Sequence, residues 1–131
     1  MKGLAIVLMA LMLVAPLSGC FESYPSSSEA DVVITKVDTE VVDGNFRITF
    51  HLKNVGKEKA NAVLLNKHIE NQNGVSRAEG GSTVVSGLNP GATVTKTETV
   101  RIHTTDKRYI ANIEVWWMEG SRNYHYEWDI K

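Results

Sequence analysis

The chain has a single cysteine, Cys20, and three prolines in 131 residues, so no disulfide can form within it and rigid backbone breaks are few. A domain without cross-links must be held by apolar burial, which about a hundred residues can supply. Neither sign of charge dominates: 14 Lys and Arg stand against 15 Asp and Glu, and this balance offers no basic surface for a nucleic acid. Signatures of catalysis are also missing. There is no G-x-S-x-G, H-E-x-x-H, C-x-x-C or G-x-x-x-x-G-K-[ST]. We therefore expect no catalytic residue, no metal ligand set and no cofactor, and the chain reads as a non-enzyme.

One long apolar run is present. Met1-Lys2 carries a positive charge, and Leu4 to Leu17 (LAIVLMALMLVAPL) has no charged or hydrogen-bonding side chain. A membrane-spanning helix needs about 20 apolar residues, so this shorter run reads as the core of a signal peptide. It ends in Leu17-Ser18-Gly19-Cys20, an aliphatic residue, two small residues and the sole cysteine. That segment resembles the lipobox of prokaryotic lipoproteins. The resemblance implies cleavage between Gly19 and Cys20, a diacylglyceryl (palmitate-type) anchor on the Cys20 thiol, and residence on the extracytoplasmic face of a cell membrane or outer membrane. The alternative is an ordinary secretory peptide with an incidental cysteine. Two acyl chains at about 0.8 kcal/mol per buried methylene anchor stably, where one chain is marginal.

Three segments follow: a signal peptide over 1–19, a lipidated cysteine and tether over 20–30, and one domain over 31–131. The tether CFESYPSSSEA is Ser-rich, shows no apolar period and reaches at most about 35 Å when extended.

Within the domain, Phe46 to Lys53 alternates strictly and predicts a half-buried strand. Asp31 to Val42 precedes it, and Asp43-Gly44 is a tight turn needing positive φ, which makes a hairpin. Ala60 to Ile69 is helix-like in composition, but turn residues bound it at strand spacing, so it is read as a strand. A weak strand is expected around Ser82 to Val85. Leu88-Asn89-Pro90-Gly91 is a turn with Pro presetting φ and Gly accepting positive φ. In Thr93 to His103, Lys96 and Glu98 share the parity of Val94 and Val100, which calls for a bulge or an exposed edge. Tyr109 to Met118 and Tyr124 to Ile130 alternate as two further strands. The expected architecture is an all-β antiparallel sandwich of about seven strands.

The turn residues Asn54-Val55-Gly56 and Leu88-Asn89-Pro90-Gly91, the Thr-rich strand and the aromatic last hairpin resemble the immunoglobulin-like, CARDB-like modules of prokaryotic surface proteins. The resemblance implies a binding or structural module with no shared catalytic residue. Its expected role is a non-catalytic binding or accessory module whose partner is a protein or surface polymer. The alternative is a carrier of a small ligand or metal at the membrane surface.

By parity Trp117 and Trp128 belong to the core, while Trp116 points outward beside Met118. Trp116 and Met118 are thus candidates for a binding patch, unless a loop covers Trp116. His51 and His103 share an outer face if their strands pair as in immunoglobulin sheets; otherwise the four histidines are solvated surface residues. Lys57-Glu58-Lys59 and Asp106-Lys107-Arg108 read as solvated turn charges.

Overall fold

The computed structural model describes residues 29–130. The signal peptide, the Gly19–Cys20 cleavage site and nearly all of the tether lie outside the described residues. Seven strands follow in order: β1 (Val32–Val42), β2 (Asn45–Asn54), β3 (Ala60–Asn71), β4 (Ser76–Leu88), β5 (Thr93–Arg101), β6 (Arg108–Trp117) and β7 (Gly120–Asp129). All pairings are antiparallel. One sheet has the order β1-β2-β5 and the other β4-β3-β6-β7. Among the described residues no helix is long and apolar enough to cross a membrane.

The alternation seen in the sequence sets the two inner faces. Phe46, Ile48, Phe50 and Leu52 of β2 face Val63, Leu65 and Ile69 of β3 and Tyr109, Ala111, Ile113, Val115 and Trp117 of β6 in one buried cluster. The central strands carry this core because each is covered by a neighbour on both sides. Asp43 and Gly44 adopt φ 52° and 78°, the two left-handed positions that a two-residue hairpin turn requires. Gly91 takes φ 79° one residue after Pro90, as expected for the turn into β5.

Strands β1, β3, β5 and β7 run from what we call the base to the tip, and the others return. The chain enters at the base. There Asn54 ties three segments together, its Oδ1 accepting the Asp31 and Gly56 amides and its Nδ2 donating to the Glu58 and Leu88 carbonyls. Gly56 is compulsory at this crossing, because any Cβ would collide with the Glu29 carbonyl. The Arg122 guanidinium grips both Asp31 oxygens at 2.7 and 2.8 Å and so bridges the sheets.

Two expectations change, and the choice between a bulge and an edge in β5 is decided for the edge. Strand β4 is much longer than the weak Ser82–Val85 segment, because pairing with β3 carries it through Gly80 and Gly81. Strand β5 has an unbroken register with β2, so there is no bulge there; it is an edge strand, and Glu98 points inward. Register shifts fall elsewhere, between Ile34 and Lys36 of β1 and, in the β3–β4 pairing, between Val63 and Leu64 and between Ile69 and Glu70. Trp128 is half-buried and not core: its strand is at a sheet edge, and it stacks at 5.4 Å on Tyr126, which stacks on Tyr124.

Candidate functional site

Beside the clasp at the base, three polar constructions stand out among the described residues, and each begins with a residue whose parity or turn position carries it to an unusual place. At the tip, Asp106 is fully buried, not the solvated turn charge expected from Asp106-Lys107-Arg108. Arg77 Nε and Nη2 reach its carboxylate at 3.0 Å, Asn71 Nδ2 donates at 2.9 Å, the His103 amide at 3.0 Å and Tyr109 Oη at 2.7 Å. Burial alone would push this carboxyl up. The bonds from Arg77, Asn71, His103 and Tyr109 outweigh it and hold Asp106 well below the ordinary carboxylate value. Burial and the Asp106 contact drive the Tyr109 hydroxyl up, so it stays protonated as a donor. Tyr109 is the second residue of β6, at the β5–β6 corner, where immunoglobulin folds place a tyrosine bonded back to upstream backbone, and its Oη also lies 3.3 Å from the Arg101 carbonyl oxygen. Asn71 in turn accepts the Asn73 and Val75 amides, so one network fixes the β3–β4 and β5–β6 loops. A carboxylate so fully occupied has no lone pair left for chemistry.

Between the sheets, Lys67 of β3 meets Glu98 of β5 at 3.1 Å, and Ser82 donates to Glu98 at 3.0 Å. The lysine and glutamate side chains are only 15% and 11% exposed. Inward charges at an edge discourage pairing with another chain's strand, which accounts for polar residues at core parity in β5.

The third construction is the outer face of the four-stranded sheet. Register aligns Gly81, Asn66, Glu114 and Asn123 in one row across the strands, and Glu79, His68, Asn112 and His125 in the next. Trp116 stands in the row beyond, between Leu64 and Ser121. A groove of about 370 Å³ runs over Asn66, His68, Asn112, Glu114 and Asn123. Asn66 donates to Glu114 at 2.9 Å, and His125 Nδ1 donates to Asn112 at 3.0 Å. His68 sits between Glu79 at 2.7 Å and Glu70 at 3.1 Å. Carboxylates only accept, so both bonds need both ring protons; the Glu79 bond, then the Glu70 bond, raise the His68 pKa above its ordinary value.

The sequence candidates fall as follows. Trp117 is buried at 4% exposure, with its Nε1 lacking a partner among the described residues, whereas Trp116 is half-buried on the outer face and Met118 is 65% exposed. His51 and His103 do not share a face. His51 lies opposite Thr95 and bonds Asp38 at 2.7 Å, while His103 lies beyond the end of β5 in the tip loop. The pair brought near one another is His68 and His125, both register neighbours of Asn112, which the sequence reading missed because it rests on β3 pairing with β6. Among the described residues no group of three or more His, Cys, Asp or Glu is placed to hold a metal ion.

No protein-family model matches this chain, and no curated protein matches its sequence. Solved structures do share its shape. A Bordetella pertussis protein designated ApaA superposes with a TM-score of 0.59 at 16% identity, over 80% of this chain and 97% of its own. A structural-genomics target, SoR45, gives 0.51 at 14% identity over 77% of this chain and 85% of that one. The fold is immunoglobulin-like. The same sandwich recurs within β-glucosidase 3B of Thermotoga neapolitana, at a TM-score of 0.50 and 10% identity; the match spans 76% of this chain and 17% of the glucosidase. At such identities the likeness extends to the fold alone.

Proposed function

We propose that this chain is a prokaryotic lipoprotein, anchored through Cys20 to the extracytoplasmic face of the cell membrane or outer membrane, whose immunoglobulin-like, CARDB-like domain is a non-catalytic binding or accessory module. The observation that carries the anchor is the position of the sole cysteine, directly after an apolar run and Leu17-Ser18-Gly19. The domain is fastened at Asp31 by Arg122 and Asn54, which supports a membrane-proximal base and a tip directed away. Support for a binding role comes from the buried carboxylates Asp106 and Glu98, which are occupied in structural bonds, leaving polar recognition to the exposed faces.

The test is expression of the full chain in a bacterium with a lipoprotein pathway, beside Cys20→Ser. Wild type incorporates labelled palmitate and stays with membranes after a carbonate wash, whereas the variant incorporates none and is released. Unchanged membrane partition of Cys20→Ser would overturn the anchor.

A further inference from the structure

The two outer faces of the sandwich are built by different rules. On the three-stranded sheet the outward positions of β5 are Thr93, Thr95, Thr97 and Thr99, with Thr49 of β2 bonded to Thr97 at 3.1 Å. Threonine is branched at Cβ, suits a strand, and makes an ordinary solvated face. On the four-stranded sheet the corresponding mid-strand positions are Asn66, Asn112 and Asn123, with His68 and His125. Asparagine is depleted in strands because its side chain competes for local backbone groups. Three in adjacent rows on one face run against local preference, and such violations concentrate at functional surfaces.

The chemistry of the groove selects its occupant. Asn66, Asn112 and Asn123 offer the amide donors and acceptors left over from the Asn66–Glu114 and His125–Asn112 bonds, and Glu114 adds a carboxylate oxygen. A ligand that fits must both donate and accept at short intervals, as a polyhydroxylated chain does. Glu70, Glu79, Glu114, Glu127 and Asp129 share the face with His68, His125 and the single guanidinium of Arg108, so carboxylates outnumber cations and an anionic polymer is repelled. Trp116, one row beyond Glu114 along β6, sets beside the groove a half-buried ring on which the C–H face of a sugar can lie. Four strands extend the face across about 14 Å, more than one sugar ring needs. Gly81 keeps the β4 side low, and a Cβ there would run into the Asn66 side-chain amide.

We infer that the outer face of the four-stranded sheet is a binding site for an uncharged polysaccharide, lying across the strands over Asn66, Asn112, Glu114 and Asn123 with a ring against Trp116. This rests on the reading of the domain as a binding module and names its ligand class.

The full chain in a sugar-free polyoxyethylene detergent is titrated with cellohexaose, laminarihexaose, mannohexaose and chitohexaose, and with polygalacturonate as the anionic counterpart, by calorimetry and tryptophan fluorescence. At least one uncharged oligosaccharide should bind with Kd below about 1 mM. The triple variant Asn66→Thr, Asn112→Thr, Asn123→Thr should melt no lower than wild type, since threonine suits the strands better, yet lose at least tenfold in affinity. Should it fail to fold, Asn112→Thr alone, at an exposed position, provides the same reading with a smaller loss. Absence of binding to all four uncharged oligosaccharides, preference for polygalacturonate, or wild-type affinity in the folded variant overturns the inference. Membrane partition is read on the same preparations: a chain that is anchored but blind to sugars sinks the groove alone, and one that binds sugars but is released by carbonate sinks the anchor alone.

Discussion

Tyr109 donates its phenolic hydrogen to Asp106 across 2.7 Å at the tip of the sandwich, where Asp106 has no solvent exposure and Arg77 is its counter-charge. Asp106→Asn leaves that guanidinium largely buried without a charge partner, which should cost about 3 to 5 kcal/mol of folding stability. Tyr109→Phe removes one bond of several and should cost about 1 to 3 kcal/mol. Urea denaturation midpoints of the two variants check the order.

Acid should loosen the same tip. The Asp106 carboxyl is held below its unfolded value near 3.8, so its contribution is complete above that pH and is lost as the pH falls below it towards the folded value. Unfolding free energy should therefore fall more steeply below about pH 4 in wild type than in Asp106→Asn. Parallel acid slopes in urea titrations would contradict this.

His68 should titrate above the ordinary histidine value of 6.5, because Glu79 and then Glu70 favour its charged form. Its stabilising pair is complete below pH 6.5 and is lost as pH rises through the raised value. Nitrogen chemical shifts of the imidazole report the midpoint, and Glu79→Gln should move it down.

The Lys67–Glu98 pair should behave asymmetrically under substitution. Lys67→Met or Glu98→Leu alone strands a largely buried charge and should destabilise by about 3 kcal/mol or more, whereas the double variant should recover most of the loss. The double variant should nonetheless aggregate faster, since β5 then presents an edge that keeps Lys96 but has lost its buried inward charge. Light scattering under gentle heating measures this.

Trp117 and Trp116, adjacent in sequence, should respond unequally to truncation. Trp117→Ala opens the core and should cost about 3 to 5 kcal/mol. Trp116→Ala, on the outer face, should cost far less, and equal losses by thermal melts would count against the division of faces.

The alternation of Phe46 to Lys53 and of Tyr109 to Trp117 made the central strands readable, because burial on one side imposes a period of two on the sequence. Gly80 and Gly81 interrupt the alternation of β4, so only the stretch around Ser82 to Val85 stands out in the sequence; the strand's length comes from β3, a partner that local sequence does not name. Glu98 announced a conflict at its own parity, but its resolution by Lys67 depends on how the sheets face each other. Asp106 resembled any turn charge, and the signal that could have placed it is the tyrosine three residues on at the start of a strand. The groove was invisible for a similar reason: Asn66, Asn112 and Asn123 meet only through the order β3-β6-β7.

The clasp at the base has a mechanical consequence. The Glu29 and Asp31 carbonyls accept the Lys57 and Val55 amides where the chain enters, and the Ile130 amide bonds Lys107 at the far end. A pull on the two ends of the domain therefore runs lengthwise through β1 and β7, each hydrogen-bonded to an antiparallel neighbour. Such a force slides whole strands past their neighbours and strains many bonds together, where a force from the side would unzip them one at a time. Tension along the chain meets this domain in its stiff direction.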